Sequence, residues 1–435
     1  MSGEEQQDVK PIDIKDIAFD DTQIEAINRC CDVSPSNRIV PITGQAGTGK
    51  TSLMRAVFHA LENAGYRVAV CAPTGKAAKR IRELTGIPAV TAHRLLEYPH
   101  PGERDPKTGE ALSTTDPKRD RNNPLEYDVV LADEYAMTNL EVHRNLMDAM
   151  PIGCFRLFGD VNQLPPIERD ERRRGKPSPF ARALQIFNGV VLTTIHRQEE
   201  GSGIVANGAQ ILRGRIPTRN DDWSMDITDR PVDTLRRYVV ECDHDYSLIS
   251  NQIITPTRKT WIGTAKLNTM LQSVFRPEHD GWVRVPRHPW AADQTVFIRN
   301  GDKVIWTEND YELGIFNGET GIVCEVNEDT DEFSLNVGDR VVYIPPNVVY
   351  ESVRGVKSCD PRKSVDLAYT ITTHKSQGSE YDNVVYIINK SASFMQNRNN
   401  FYTGTMRARL HVHVITDQRS LGYSTWKTYQ GARKR

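Results

Sequence analysis

The stretch Arg38-Ile39-Val40-Pro41-Ile42-Thr43-Gly44-Gln45-Ala46-Gly47-Thr48-Gly49-Lys50-Thr51 decides how the rest of the chain is read. Residues 38–42 form a short run of strand length, and residues 50–64 carry helical periodicity. Between them the spacing fits G-x-x-x-x-G-K-[ST] in the strand–loop–helix context this motif needs. Glycines let the backbone wrap closely round a phosphate, and the amides at the start of the helix point at an anion. Lys50 would then reach the β- and γ-phosphates, and Thr51 would hold Mg²⁺ through its hydroxyl. The motif predicts binding of a nucleoside triphosphate.

Working outward, strands at 67–72, 128–132 and 154–158 alternate with helices at 76–84 and 140–150, and a further helix runs from about Phe19 to Cys31. Such alternation favours a parallel sheet with helices on both faces. A second α/β region begins near Gly201, with a strand at 252–255 and a helix at 263–273, and resumes at Asp366 with strands at 384–388 and 411–416. Between residues 295 and 349, short alternating strands are punctuated by Asn300-Gly301, Asn317-Gly318 and Gly338-Asp339, the pattern of a small β-barrel insert. The expected division is an arm over 1–18, a first domain over 19–200, an insert over 295–359, and a second domain from 201–294 and 360–435. Residues 98–125, with five prolines, are expected to be a surface insertion, and 168–178 a charged loop.

Composition narrows the class. In 435 residues, 55 Lys and Arg nearly balance 57 Asp and Glu, so a nucleic-acid partner would need a local basic track. No apolar run approaches the roughly 20 residues needed to span a bilayer, and the polar start shows no leader peptide. The expectation is a cytoplasmic protein with no membrane partner. Seven scattered cysteines without a C-x-x-C pair read as reduced thiols. His411 and His413 read as surface alternation on a strand rather than as a ligand pair.

Asp133-Glu134 closes the apolar strand Val129–Ala132. There Asp133 can help to hold Mg²⁺, and Glu134 can orient or deprotonate an attacking water. Gln163, at the end of the next strand, reaches the same sheet edge and can sense the γ-phosphate or the water. Arg197 and Arg407 are candidates for charge compensation.

These residues belong to an ordered series: Gly44–Thr51, Ala72-Pro73-Thr74-Gly75-Lys76-Ala77-Ala78, Thr91–Leu95, Asp133-Glu134, Gly159–Pro166, Thr193–Gln198, Thr373–Glu380 and Tyr402–Arg409. The series resembles the motif set of superfamily 1 DNA helicases. The wording His374-Lys375-Ser376-Gln377-Gly378-Ser379-Glu380 resembles the RecD/Dda branch. Gly301-Asp302-Lys303-Val304 and Phe316-Asn317-Gly318-Glu319 resemble that branch's SH3-like insert. Met406, where the family usually carries Thr, and Tyr135-Ala136 depart from the pattern.

The resemblance implies two RecA-like P-loop domains and an ATP- and Mg²⁺-dependent helicase moving 5′ to 3′ on single-stranded DNA. It implies that Gln23 reads the adenine, and that Gly378 and Glu380 complete the nucleotide site from the second domain. It implies a DNA track of Pro73, Thr74, Lys76, His93, Thr373, His374 and Lys375. Expected partners are single-stranded DNA and duplex junctions, with a single-stranded-DNA-binding or replisome protein as a further one, and the chain is expected to act as a monomer. If the source is viral, the compartment would be the host cytoplasm. The 98–125 insertion is a candidate wedge for splitting the duplex. A non-unwinding translocase, a protein-displacing motor, or a motor subunit of a recombination complex would carry the same motifs.

Overall fold

The structure, a computed structural model, describes residues 18–99, 113, 115–168, 176–195, 202–277, 281–285, 296–310, 313–352 and 355–428. Residues 1–17 of the expected arm, half of the 98–125 wedge (100–112 and 114), residues 169–175 of the charged loop, and Arg197 lie outside them.

The first domain opens with α1 (Asp21–Cys31), β1 (Ile39–Gly44) and α2 (Lys50–Asn63). It continues through β2 (Val68–Ala72), α3 (Gly75–Thr85), β3 (Ala89–Thr91), α4 (Ala92–Leu95) and β4 (Val129–Ala132). It closes with α5 (Leu140–Ala149), β5 (Cys154–Gly159), α6 (Pro179–Ile186) and β6 (Val190–Leu192). The six strands form one parallel sheet in the order β3-β2-β4-β5-β1-β6. Apolar clusters cover both faces, which explains the near-continuous burial of β1, β4 and β5. Because every strand points the same way, the residues that follow β1, β4 and β5 emerge at one edge. The short edge strands β3 and β6 have too few residues to show a period.

Arg156, in the middle of β5, is fully buried. Its guanidinium donates to the Cys30 (2.6 Å), Asp32 (2.9 Å) and Asn37 (2.9 Å) carbonyls, tying α1 and the loop after it to the sheet.

The second domain contains α7 (Gly203–Leu212), β7 (Trp223–Ile227), α8 (Pro231–Glu241), β8 (Asn251–Thr255) and α9 (Thr264–Phe275). An antiparallel insertion follows, with β9 (Trp282–Val285), β10 (Val296–Arg299), β11 (Lys303–Trp306), β12 (Thr320–Asn327), β13 (Glu332–Val337), β14 (Arg340–Ile344), β15 (Val348–Ser352), β16 (Gly355–Cys359) and β17 (Val365–Leu367). The chain then returns through β18 (Thr370–Thr372), α10 (Thr373–Ser376), β19 (Tyr381–Ile388), α11 (Arg398–Thr405), β20 (Ala408–Thr416) and α12 (Gln418–Trp426). The parallel sheet has the order β18-β8-β19-β20-β7, and the main inserted sheet β14-β13-β12-β11-β17.

β17 completes the inserted sheet from beyond residue 359, pairing Val304 with Leu367 and Trp306 with Val365. The insert and its host domain share one continuous apolar core, in which Trp306, Tyr369 and Ile371 all lie. Polar stitches reinforce it. Asp302 accepts from the Tyr369 hydroxyl (2.8 Å), the Arg299 amide (2.7 Å) and the Gln272 carboxamide (2.5 Å). Buried Lys303 donates to the Leu248 (2.8 Å) and Asn251 (2.5 Å) carbonyls at the foot of β8.

The expectation for His413 is overturned. It is buried, stacked on Tyr238 of α8 with ring centroids 3.8 Å apart, and bonded to the Ser224 hydroxyl at 2.7 Å, because α8 covers that face of β20 and β7 lies beside it.

Candidate nucleotide and nucleic-acid sites

The phosphate loop turns at Gly47 and Gly49, whose φ angles of 84° and 76° lie where a side chain is strained. Lys50 folds its ammonium back on the loop, 2.7 Å from both the Gly44 and Gln45 carbonyls. The Thr48 hydroxyl donates to the Gln45 carbonyl at 2.9 Å, fixing the loop's other side. Gln23 is buried against this loop. It forms a capping box with Asp20 and donates to the Thr48 carbonyl at 3.2 Å, so the helix expected to meet the base is strapped to the phosphate loop.

Asp133 follows β4. Burial, then the neighbouring Glu134 charge, pushes its carboxyl up to about 6, opposed by Lys50 and Arg80. Glu134 sits at φ 48° and ψ 35°, a left-handed conformation that costs a non-glycine residue about 1–2 kcal/mol. Tyr135, the departure noted above, explains how that position is held. Its ring is buried against Phe180 and its hydroxyl pairs with His143 Nδ1 at 2.9 Å.

The desolvated Asp133 carboxylate and the Thr51 hydroxyl on the first turn of α2 are hard-oxygen donors. Such a set fits Mg²⁺. Gln163 is buried, and its carboxamide oxygen has no hydrogen-bond partner among the described residues.

The loop after β5 is bolted to the second domain. Tyr402 donates to Asp160 at 2.8 Å, the Leu164 amide donates to the Thr403 hydroxyl at 2.8 Å, and Gln377 donates to the Leu164 carbonyl at 3.1 Å. Arg407 is buried at this junction, donating to the Thr403 (3.1 Å) and Ser379 (3.3 Å) carbonyls, and its charge reaches Asp160. Met406 is buried too and occupies the space that a side chain at Gly208 would need.

A cavity of about 290 Å³ separates Ala46 and Gly47 of the phosphate loop from Glu380 and Arg409 of the second domain. Glu380 also pairs with Arg80 at 2.6 Å. Gly378 lies against the start of α3, where an added Cβ would be 3.5 Å from that of Ala77, and lines a neighbouring cleft together with Glu380 and Arg409.

A larger cavity of about 550 Å³ gathers Pro73, Thr74, Lys76 and His93 from the first domain with His374 and Lys375 from the second. Thr373 does not belong with them: it is fully buried, and its hydroxyl faces the Thr255 carbonyl at 3.5 Å. Burial holds His374 below the usual histidine range, so near pH 7 it offers a neutral N–H rather than a charge. Lys76 lies over the Tyr381 ring, 5.6 Å from its centroid. Lys375 approaches Asp366 at 3.8 Å.

Arg258 and Lys363 also line this cavity, as do Thr307 and Asn309 from the insert. Only the tertiary fold brings these four to the channel. Asp160 and Tyr402 lie in motifs the sequence marks, but their pairing is a fact of three dimensions. Among the described residues, no group of His, Cys, Asp and Glu forms a further metal site, and no helix is long and apolar enough to cross a membrane.

Fold and site together define a two-domain P-loop protein with RecA-like halves and an SH3-like insert. Residues 23–169 match the family described as an AAA domain, 267–341 the SH3 domain of ATP-dependent RecD-like DNA helicases, and 367–415 the UvrD-like helicase C-terminal domain. The ATP-dependent RecD2 DNA helicase of Deinococcus radiodurans is 30% identical over 86% of this chain and 46% of its own length. The RecBCD enzyme subunit RecD of Mycolicibacterium smegmatis is 27% identical over 88% of this chain and 69% of its own. The chain thus spans about half the length of the first relative and about two thirds of the second. In fold it is similar to the Bacteroides Pif1 helicase solved with ADP-AlF3 and single-stranded DNA, with a TM-score of 0.58 and 19% identity over 97% of this chain and 95% of that one. The chain belongs to the RecD-like superfamily 1 helicases.

Proposed function

We propose that this chain is an ATP-dependent DNA helicase that hydrolyses ATP between its RecA-like domains, moves 5′ to 3′ on single-stranded DNA and opens duplex ahead of it. The observation that carries this reading is that the same two domains frame both cavities. One has the phosphate loop on its wall, and the other holds Lys76 and Lys375 on opposite sides. A change in the first must move the walls of the second. Relatives named as DNA helicases support the activity, and the RecD/Dda wording supports the polarity.

In this reading Lys50 exchanges its loop carbonyls for the β- and γ-phosphates, and Gln23 meets the adenine. Thr51 and Asp133 would hold Mg²⁺, which when bound neutralises charge on the phosphate oxygens. Glu134 accepts the proton of the attacking water, and Gln163 orients that water through its free carboxamide oxygen. Arg197 and Arg407 compensate charge from either side of the cleft. Lys76, Lys375 and the Thr74 hydroxyl hold strand phosphates, while Pro73 and His93 present faces for bases. Single-stranded DNA and duplex junctions are the proposed partners, together with a strand-binding or replisome protein, and the motor works as a monomer.

The test is strand separation on partial duplexes bearing a 5′ or a 3′ tail, with ATP turnover followed in parallel. Opening only the 5′-tailed duplex supports the reading. Opening only the 3′-tailed duplex overturns the polarity, and DNA-stimulated turnover with neither duplex opened makes the protein a translocase.

A further inference from the structure

The loop from β8 to α9 carries Arg258 at one end and Trp261 near the other. Arg258 lines the 550 Å³ channel and also a smaller adjoining cavity of about 60 Å³, which it shares with Thr264 and Ala265 at the start of α9. Arg258 thus makes this loop part of the channel wall.

The loop is rigidly built. The Gly263 amide donates to the Thr260 carbonyl (2.8 Å), Thr264 to Thr257 (3.1 Å) and Ala265 to Arg258 (3.3 Å), while the Thr257 and Thr260 hydroxyls meet at 2.5 Å. Ile262 is fully buried and anchors the loop to the core, so the core does not need its neighbour. Trp261 is 54% exposed, and the Lys266 ammonium lies over one face of its ring, 5.9 Å from the centroid. Arg258 and Lys259 are exposed on the same loop. An exposed π-face flanked by cations is the composition of a sequence-tolerant platform for single-stranded nucleic acid.

We propose that Trp261 continues the strand path beyond the channel mouth as a base-stacking platform, with Lys266 and Lys259 serving the phosphates beside the stacked base. This inference rests on the strand-binding reading above, and adds to it a site outside the two-domain channel. The ligand is an unpaired base of any identity, since every base offers a face to the indole.

The test is equilibrium binding of oligothymidylates of graded length, roughly 4 to 16 nucleotides. Wild-type affinity should rise with length to a plateau. Trp261→Ala should match wild type on the shortest strands and reach a plateau about tenfold weaker, the worth of one stacked base. Trp261→Phe should restore most of the plateau, and Lys375→Ala should weaken binding at every length. A Trp261→Ala curve that follows wild type at all lengths, with Lys375→Ala still impaired, overturns this inference and leaves the strand-binding reading standing. A wild-type protein that binds no strand of any length overturns both.

Discussion

Tyr402, on α11 of the second domain, donates its phenolic hydrogen to Asp160 of the first at 2.8 Å. Asp160 is buried, and burial raises its carboxyl, while Lys50, the Asn162 amide, Tyr402 and Arg407 pull it down. One carboxylate thus feels the phosphate-loop lysine and the second-domain arginine together. A cleft that senses phosphate on one side and moves a helix on the other needs a contact of this kind.

Tyr402→Phe keeps the ring's packing and removes that hydrogen bond. A bond to a charged group is worth about 1.5–3 kcal/mol. The expected result is a fall of about tenfold or more in DNA-stimulated ATP turnover with ATP binding retained. Steady-state ATPase assays with and without strand, beside a nucleotide-binding titration, check it.

Glu134→Gln should bind ATP and fail to turn it over, with a loss of about 10²–10⁴-fold for a general base. Lys50→Ala should abolish turnover. Normal hydrolysis in either variant removes the assigned role, and single-turnover kinetics gives the answer directly.

Lys375→Ala should weaken strand binding and lower the slope of log affinity against log salt by about 0.7, the share of one phosphate contact on a single strand. Because His374 is neutral near pH 7, His374→Gln should leave that slope unchanged. Fluorescence titrations over a salt series distinguish the two.

Gly75 begins α3, and a Cβ there would come within 2.9 Å of Phe316 Cβ on the insert. Beside it, Lys79 pairs with buried Glu319 at 3.2 Å, so the insert rests directly on the first domain. Gly75→Ala should cost about 1–3 kcal/mol by overpacking. Adding Phe316→Ala should recover much of that loss, as a double-mutant cycle in urea would show.

Lys303 supplies a pH signature. Burial, and then the Lys76 charge, pull its ammonium from the ordinary 10.5 down to about 7. Between those values the unfolded chain holds a proton that the folded chain has lost, so stability rises as pH increases from about 7 toward 10.5. Below about 7 both states are protonated, and the unfavourable contribution is constant. Lys303→Met should flatten the rise in denaturation midpoint between about pH 7 and pH 9, within the window set by the lysine's two pKa values.

The sequence alone determined the first half of this protein closely. Gly44–Thr51 sits between β1 and α2 with boundaries within two residues of expectation, since strand length, glycine spacing and helical period are all local properties. The positions of Asp133 and Gln163 were legible for the same reason: Asp133 directly follows buried β4, Gln163 stands in the loop that leaves buried β5, and parallel strands deliver such loops to one edge. The SH3-like insert was legible through its turns, but not its closure by β17, because a three-residue strand has no period and its partner β11 lies about sixty residues earlier.

The tertiary structure alone decided which residues face which cavity. Thr373 and Lys375 are two residues apart on α10, yet one is fully buried and the other lines the channel. Gly378 and Glu380, equally close in sequence, both meet α3, yet only Glu380 also lines the cavity beside the phosphate loop. Motif order names the segment, whereas the direction of each side chain is set by what packs behind it. That packing comes from segments far away in sequence: from β8 of the same domain for Thr373, and from the other domain where Asp160 meets Tyr402.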